Sequence, residues 1–299
     1  MGTRRRFHLR WRVIIAGLLL LAVSTTRAPA DEPPAIVLHR TADAAFFDPV
    51  SSRNPLFILV IGSDVREGDP RTGRADSLHL VALNTQTGRG TIVGIPRDSY
   101  VPIPGLGSSK INAALARGGP DLVVRTVSQL AGVPIHYWAS VEFSRFRSLV
   151  DTLGGIDVDV PYAMADPASG AFFEPGRRHM NGAEALAFSR NRKSVPGGDF
   201  ERSRNQGRIL LAALAKFRAE AGSPLRLADY LMAFGTYVAS NVPARELIDL
   251  AAIARRVDPA GVENLVLPGG GGSAGGASVV ILAPGASEIF NAIRDDGVR

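Results

Sequence analysis

The stretch Phe57-Ile58-Leu59-Val60-Ile61-Gly62-Ser63-Asp64 decides the fold. Five consecutive apolar residues are typical of a strand that is buried on both faces, and the residues that follow them are typical of a turn. Two similar runs, at 78–83 and 91–95, follow with turn residues between them. The three runs predict neighbouring central strands of one sheet.

Outside these strands, apolar residues recur at intervals of three or four, which predicts helices. The helical segments are 120–132, 146–153, 182–190, 201–219, 227–239, 245–257 and 287–294. Further strands are predicted at 156–160, 265–267 and 279–282. Because strands and helices alternate along the chain, we expect an α/β fold with helices on both faces of a sheet. No internal repeat or linker divides residues 55–299, which we assign to a single domain.

The first 30 residues have the composition of an export signal. They hold six arginines, an uncharged stretch over 13–26, the small-residue pattern Ala28-Pro29-Ala30 and no acidic residue. The uncharged stretch is shorter than the ~20 residues that span a bilayer, which favours a cleaved signal peptide and leaves an N-terminal membrane anchor as the alternative. Residues 31–54, with Pro33-Pro34 and Pro49, are predicted to be a linker.

The distribution of charge argues against a nucleic-acid partner. The formal net charge of +6 comes from the leader, because the other 28 basic residues are balanced by 28 acidic ones. A neutral body lacks the surplus of cations that gives nucleic-acid-binding proteins most of their affinity. The chain contains no cysteine, which excludes disulfides and thiolate metal sites, and its five histidines have no metal-ligand spacing.

Charged residues cluster where the predicted strands begin and end. Asp64 follows the first strand, Arg74 and Asp76 precede the second, and Arg97 and Asp98 follow the third. Ligands of open α/β sheets bind at the carboxyl ends of strands. Two aspartates beside arginines suit a magnesium ion, which binds one or two carboxylates and completes its shell with water and phosphate oxygens. Surface ion pairs are the alternative interpretation.

A second basic cluster lies about 100 residues further along the chain. Arg190 and Arg192 end one predicted helix, and Arg202 and Gln206 share a face of the next. The planar guanidinium group is well suited to bidentate contacts with phosphate. With Arg97, these arginines could neutralise a pyrophosphate; a solvated, arginine-rich helix surface is the alternative.

Taken in order, these motifs resemble the LytR-CpsA-Psr (LCP) family of bacterial cell-envelope proteins. The likeness covers roughly residues 56–218. Its motifs are Gly-Ser-Asp-Val-Arg at 62–66, Arg-Ala-Asp at 74–76, Ile-Pro-Arg-Asp-Ser at 95–99, Lys-Ile-Asn-Ala-Ala at 110–114, Val-Asp at 150–151 with Gly-Gly at 154–155, Asn-Gly at 181–182 leading to Arg-x-Arg at 190–192, and Asp-Phe-x-Arg at 199–202. The resemblance implies a three-layer α-β-α fold with a central mixed sheet.

The resemblance also implies an activity. It indicates an exported enzyme on the outer face of the plasma membrane, which moves a glycopolymer from a polyprenyl-pyrophosphate carrier onto a peptidoglycan hydroxyl. Asp64 and Asp76 match the Mg²⁺ ligands, and the pyrophosphate-binding set is matched by Arg97, Arg190, Arg192, Arg202 and Gln206. We add Arg74 to the substrate-binding residues and take Arg97 and Asp98 as catalytic residues, with Asp98 as the candidate general base.

The chain departs from the family pattern at three positions. Asn205 stands where most members have arginine, Val101 where some members have another phosphate-binding arginine, and Gly94 where serine is usual. The first two leave fewer cations near the predicted site. A non-catalytic envelope protein that binds polyprenyl phosphate or glycan is therefore an alternative, and a transcriptional regulator is a weaker one.

Two further segments bear on function. A carrier lipid needs an apolar slot, and two helix faces are the candidate walls. One helix bears Ile209, Leu210, Leu214 and Phe217, and the other bears Leu247, Leu250 and Ile253. Ordinary helix cores are the more common explanation of such faces.

The glycine run at 269–276 is predicted to be a mobile loop, and the hydrolase-like motif within it is a product of composition.

Overall fold

A computed structural model describes residues 55–64 and 73–299. The predicted signal peptide or anchor at 1–30 and the linker at 31–54 lie outside the described residues. Within the described part, no helix is both long and apolar enough to cross a lipid bilayer.

The centre of the molecule is a six-stranded mixed sheet with the strand order β11-β6-β1-β2-β3-β12. Strand β1 is antiparallel to β2 and parallel to β6, and β3 is antiparallel to β2 and parallel to β12. The strands are β1 (Leu56–Ser63), β2 (Ala75–Leu83), β3 (Gly90–Gly94), β6 (Tyr137–Glu142), β11 (Ala239–Ser240) and β12 (Val262–Val266). The expected α/β class and mixed sheet are confirmed.

Helices lie on both faces of this sheet. They are α1 (Ala113–Ala131), α2 (Phe143–Thr152), α3 (Gly182–Arg190), α4 (Asp199–Glu220), α5 (Pro224–Tyr237), α6 (Ala244–Arg256) and α7 (Gly285–Ile293). Phe57, Leu59 and Ile61 face a core shared with α1 and α7. The alternate residues of β1 face a core shared with α4 and α6, as period-two side-chain alternation requires. The fold therefore has the expected three layers.

Four two-stranded antiparallel sheets complete the described part of the fold. They pair β4 (Tyr100–Ile103) with β5 (Gly107–Lys110), β7 (Ile156–Val160) with β10 (Gly176–Met180), β8 (Met164–Asp166) with β9 (Ala171–Phe173), and β13 (Gly269–Ala274) with β14 (Ala277–Leu282). The predicted mobile loop at 269–276 is wrong. The backbone of β13 pairs along its length with β14, and Gly275 and Gly276 take positive φ angles at the turn, which glycine adopts without strain.

A β-bulge at the junction of β1 and β2 orients the first predicted site residues. Gly62 pairs with Ser77 and Ser63 pairs with Ala75, so Asp76 is the extra residue on β2. Bulges redirect side chains and are common beside active sites. Asp64 follows the last paired residue of β1, which places both aspartates at this end of the sheet.

Candidate functional site

A cavity of about 230 Å³ lies where β2, the β3–β4 connection, α3 and α4 meet. Its walls include five cationic side chains and two carboxylates. The lining residues are Asp76, Arg97, Phe143, Asp166, Ala168, Ser169, Arg190, Arg192, Lys193, Arg202 and Gln206. The cavity is therefore a cationic site, suited to an anion with several negative charges.

Arg97 reaches the cavity from the loop after β3. Its Nη1 donates a hydrogen bond of 2.5 Å to Oδ1 of Asp76, and its Nε lies 3.9 Å from Oδ1 of Asp199. Burial alone would lower the pKa of Arg97, but the carboxylates of Asp76, Asp199 and Asp98 raise it above its ordinary value. The guanidinium group is thus a fixed cation.

Arg202 lies at the floor of the cavity, in the first turn of α4, and only 6% of it is exposed. Its Nη2 lies 2.9 Å from Oδ1 of Asp199. Burial lowers the pKa of Arg202, and the positive charges of Arg97 and Arg192 lower it further. The carboxylates of Asp199 and Asp76 raise the pKa, but the net shift is downward. An arginine remains charged in proteins. Its buried charge is therefore only partly compensated, and a bound anion would stabilise it.

Two guanidinium groups of the site have a buried N–H without an acceptor. The Nε atoms of Arg97 and Arg202 are inaccessible to solvent and have no hydrogen-bond partner among the described residues. A buried donor without a partner costs ~1–3 kcal/mol, so each such group needs a physical explanation. Both arginines therefore carry a donor that the described side chains leave unsatisfied.

Arg190, Arg192 and Lys193 form the exposed rim of the cavity, at the end of α3. The Arg190 guanidinium lies over the ring of Phe143, 5.1 Å from its centre. Gln206 of α4 donates a hydrogen bond of 3.2 Å from Nε2 to the main-chain oxygen of Ser189, which ties α4 to the end of α3. The structure thus brings together all five residues that match the pyrophosphate-binding set.

The other three predicted site residues lie outside the cavity lining. Asp64 and Arg74 face each other across the end of the β1–β2 pair: Asp64 N donates to the Arg74 oxygen (3.2 Å), and Arg74 N donates to Asp64 Oδ1 (2.7 Å). The segment between them, 65–72, is not among the described residues.

Asp98 lies beside Arg97, and its Oδ1 is 3.0 Å from Nζ of Lys110. Asp98 is placed to stabilise the Arg97 guanidinium by charge, and its role as a general base stays a prediction.

The two aspartates have a donor set that fits a magnesium ion. Within the described residues, Asp64 and Asp76 each have a hydrogen-bond partner on Oδ1 alone, which leaves a second oxygen on each carboxylate. The described residues contain no group of three or more acidic, histidine or cysteine side chains that could hold a metal ion. Two carboxylates fit Mg²⁺, which relies on phosphate and water oxygens for its remaining ligands.

His79 supports the floor of the site from β2. It is fully buried, and its Nε2 lies 2.9 Å from the Ser203 main-chain oxygen, while its Nδ1 lies 3.1 Å from Oγ of Ser77. Since a carbonyl only accepts, Nε2 carries the proton and Nδ1 accepts from Ser77. Burial lowers the pKa of His79 to about 4, and the charge of Arg202 adds to the effect. The side chain is therefore a neutral link between β2 and α4.

Five residues of the cavity lining are not among those that the sequence predicts as part of a site. They are Phe143, Asp166, Ala168, Ser169 and Lys193. Asp166 opens the turn Asp166-Pro167-Ala168-Ser169-Gly170, a composition that predicts a turn but gives no sign that it borders a site. Lys193 follows Arg192 directly, so the cluster at the end of α3 could have been extended by one residue.

The three departures from the family pattern lie away from the cavity lining. Asn205 is buried, and its side chain contacts Tyr162 and Arg208. Val101 is buried in the core beside α1. At Gly94, a Cβ atom would collide with Oγ of Ser203, so glycine allows the close packing of β3 against α4. None of the three positions places a side chain in the described cavity.

The comparisons with known proteins agree with this architecture. The family model of LytR_cpsA_psr matches residues 24–294. The polyisoprenyl-teichoic acid–peptidoglycan teichoic acid transferases TagU of Bacillus mycoides (strain KBAB4) and Bacillus subtilis (strain 168) are 38% and 36% identical to the chain, and each match covers 67% of it. The matches span 65% and 64% of those relatives' own lengths.

Solved structures with the same architecture are similar over a larger share of the chain. The crystal structure of B. subtilis TagV has a TM-score of 0.72 and 28% identity, and the similarity covers 83% of this chain and 98% of that one. A structure of TagT bound to LI-WTA has a TM-score of 0.70 and 25% identity, covering 89% of this chain and 100% of that one.

Proposed function

The chain belongs to the LytR-CpsA-Psr family, and on that premise we propose that it transfers a glycopolymer from a polyprenyl-pyrophosphate carrier onto a hydroxyl of peptidoglycan. The observation that carries the proposal is the cationic cavity with its two unpartnered guanidinium N–H groups. The names of the TagU relatives, which describe transfer between a polyisoprenyl-linked polymer and peptidoglycan, support it.

In the proposed reaction the protein positions groups and neutralises charge. The acceptor hydroxyl oxygen attacks the phosphorus that bears the glycan, a new P–O bond forms, and the bond to the bridging oxygen breaks. Polyprenyl phosphate leaves with the bond electrons, and the hydroxyl proton passes to a base, for which Asp98 stays the candidate. Charge develops on the bridging and non-bridging oxygens, and fixed donors stabilise it at little reorganisation cost.

The surroundings of each arginine indicate whether it stabilises the transition state or binds the incoming substrate. Arg97 and Arg202 are fixed by Asp76 and Asp199, so they suit the oxygens whose charge changes most during transfer. Arg190 and Arg192 are exposed at the rim and suit capture of the incoming pyrophosphate. Asp64 and Asp76 would hold Mg²⁺, which supplies charge neutralisation at the pyrophosphate when it is bound.

A half-buried apolar surface supports binding of the carrier lipid. On the sheet face towards α4, Ile58 and Val60 of β1 and Val81 of β2 are only partly covered, although they lie in the central strands. Leu210 and Leu214 of α4 pack opposite them, together with Leu247 and Leu250 of α6. Of the other expected wall residues, Ile209 and Ile253 are buried core, and Phe217 packs edge-on against Tyr230. Each buried methylene of a lipid tail contributes ~0.8 kcal/mol, so a short slot suffices.

We extend the proposal to the location of the protein. The arginine-rich leader and its small-residue pattern favour export to the outer face of the plasma membrane, through a cleaved signal peptide or an N-terminal anchor. Polyprenyl carriers and the peptidoglycan acceptor meet at that membrane surface. A neutral body argues against nucleic acid as a partner.

A transfer assay tests the proposal. The full-length chain is combined with a polyprenyl-pyrophosphate oligosaccharide, peptidoglycan fragments and Mg²⁺, and products are read by mass spectrometry. We expect a glycan-phosphate-peptidoglycan product that disappears in EDTA. Arg202→Ala should reduce the rate by about 10³-fold or more, because a charge-stabilising arginine supplies a factor of that size. Asp76→Ala should also reduce the rate strongly, because it removes a proposed Mg²⁺ ligand and the hydrogen-bond partner of Arg97.

Arg204→Ala is the matched control. Arg204 belongs to the same helix as Arg202 but pairs with Glu201 outside the cavity lining, so this variant should keep its activity. Binding of the lipid donor without any product would instead indicate a non-catalytic binding protein.

A further inference from the structure

The β8–β9 hairpin flanks the cavity and carries an exposed aromatic ring. Its turn contributes Ala168 and Ser169 to the cavity lining, and Phe172 on β9 is 60% exposed. Ala171 and Phe173 on either side are buried, so strand alternation directs Phe172 away from the hairpin's own core. Phe172 lies three positions after Ser169, so their Cα atoms are at most about 11 Å apart, roughly the length of a disaccharide.

The hairpin is held rigidly in this position. Oδ1 of Asp166 accepts a hydrogen bond of 3.0 Å from the Ala168 N–H, and the Gly170 N–H donates to the Asp166 main-chain oxygen at 2.9 Å. The Ala165 N–H donates to Oγ of Ser194, which joins the hairpin to the arginine-bearing loop. These bonds hold the backbone next to Phe172, and an aromatic side chain has only two rotatable bonds, so its ordering on binding a partner costs little entropy.

A large exposed ring beside a polar cavity fits a sugar chain. One face of a pyranose ring is lined with C–H groups that stack on an aromatic ring, while its hydroxyls need polar partners. The hydroxyl of Ser169 donates to the Asp166 main-chain oxygen and accepts from the Ala171 N–H, which leaves one lone pair that can accept from a sugar hydroxyl. Binding sites commonly combine an aromatic wall with a few polar groups. The other apolar side chains with about half or more of their surface exposed are aliphatic and lie outside the described cavity lining, Leu225 and Met232 on α5 and Ile248 on α6 among them.

We propose that Phe172 and Ser169 form a subsite for the glycan strand of the acceptor, in which a sugar ring stacks on Phe172 and the next sugar presents its hydroxyl at the cavity. The role of this subsite in turnover rests on the proposed function. Binding of glycan to the subsite can be measured without turnover.

The kinetic test varies the acceptor concentration. Phe172→Ala should raise KM for peptidoglycan glycan fragments about tenfold, equivalent to about 1.4 kcal/mol of lost contact, while kcat at saturating acceptor and the affinity for the lipid donor stay near wild type. Phe172→Trp should restore KM. Leu225→Ala, which removes an even more exposed apolar side chain on α5, outside the cavity lining, is the control and should leave KM unchanged.

A binding test separates this inference from the proposed function. In Phe172→Trp, indole fluorescence is followed during titration with peptidoglycan glycan fragments, with the wild-type chain as the background. A saturable change establishes the subsite even where the wild type shows no transfer. An unchanged KM in Phe172→Ala, or the absence of a saturable change in Phe172→Trp, overturns the subsite and leaves the proposed function standing on its own assay.

Discussion

His79 shows how one residue couples the stability of the fold to pH. Its folded-state pKa of about 4 lies below the ordinary value of 6.5, because the ring is buried between Ser77 and Ser203 and beside Arg202. Above pH 6.5 the ring is neutral in both the folded and unfolded states. As the pH falls from 6.5 to about 4, the unfolded chain gains a proton that the folded protein excludes, and stability is lost.

We therefore expect the free energy of unfolding to fall across this pH window, with a contribution from His79 on the order of 3 kcal/mol. His79→Gln, which keeps a side-chain donor but does not titrate, should show a shallower dependence in urea unfolding at each pH. His179→Gln, which alters an exposed histidine, is the control and should keep the wild-type slope. A His79→Gln slope equal to that of the wild type would contradict the assignment.

At the scale of elements, α4 and β12 pack so closely that only glycine fits between them. A Cβ at Gly207 would collide with the Asn264 amide, whose Nδ2 donates to the main-chain oxygen of Arg204. Alanine favours a helix over glycine by ~1 kcal/mol, yet we expect Gly207→Ala to lower the free energy of unfolding by about 1–3 kcal/mol.

A double-mutant cycle checks this prediction in denaturant unfolding. Asn264→Ala removes the obstructing amide, so Gly207→Ala should cost less in that background than in the wild type. Gly222→Ala is the matched control, because a Cβ there meets nothing closer than the Arg255 side chain at 4.0 Å. If the losses in the free energy of unfolding from the two substitutions are additive, the Asn264 side chain is not what obstructs a Cβ at position 207.

The elements differ in how well the sequence predicts them. Strands β1 to β3 are predicted because they carry apolar runs, and the capping box of α3, in which Asn181 and Glu184 bond each other's backbone, is local as well. Strand β6 is missed because Tyr137, Ser140 and Glu142 interrupt its pattern, and its burial comes from pairing with β1. Strand β13 is mistaken for a loop because its order comes from pairing with β14, which a glycine run does not reveal.

At the scale of the whole molecule, the cavity joins segments that are far apart in sequence. The arginines and Gln206 were predictable because phosphate chemistry restricts the residue type and because family motifs mark their positions. Asp166 and Ser169 were not, since their place at the cavity depends on how the β8–β9 hairpin packs against the end of α3. Long-range packing of that kind leaves no local pattern in the sequence.

The cavity and the half-buried sheet face share α4, which suggests one path for the donor. Arg202 and Gln206 line the cavity, and Leu210 and Leu214 lie one and two turns further along α4, in the partly buried apolar cluster with Ile58 and Val81 that we propose as the lipid slot. If the slot holds the lipid tail, the affinity for the donor must depend on the length of the polyprenyl chain. A larger side chain at Val60, which pairs with His79 on the slot face of the sheet, should obstruct it.

We expect Val60→Phe to weaken binding of a long-chain polyprenyl-pyrophosphate donor by about tenfold or more, since burial of even two methylenes is worth about that factor. A short-chain donor with the same glycan should bind almost as it does to the wild type, because its pyrophosphate is held by the arginines. Val81→Phe, on the neighbouring strand, should act in the same way, and Ile281→Phe, on the exposed face of β14, should not. Equal losses for long and short donors would show that this face does not hold the tail, and the lipid would then have to leave the cavity by another route.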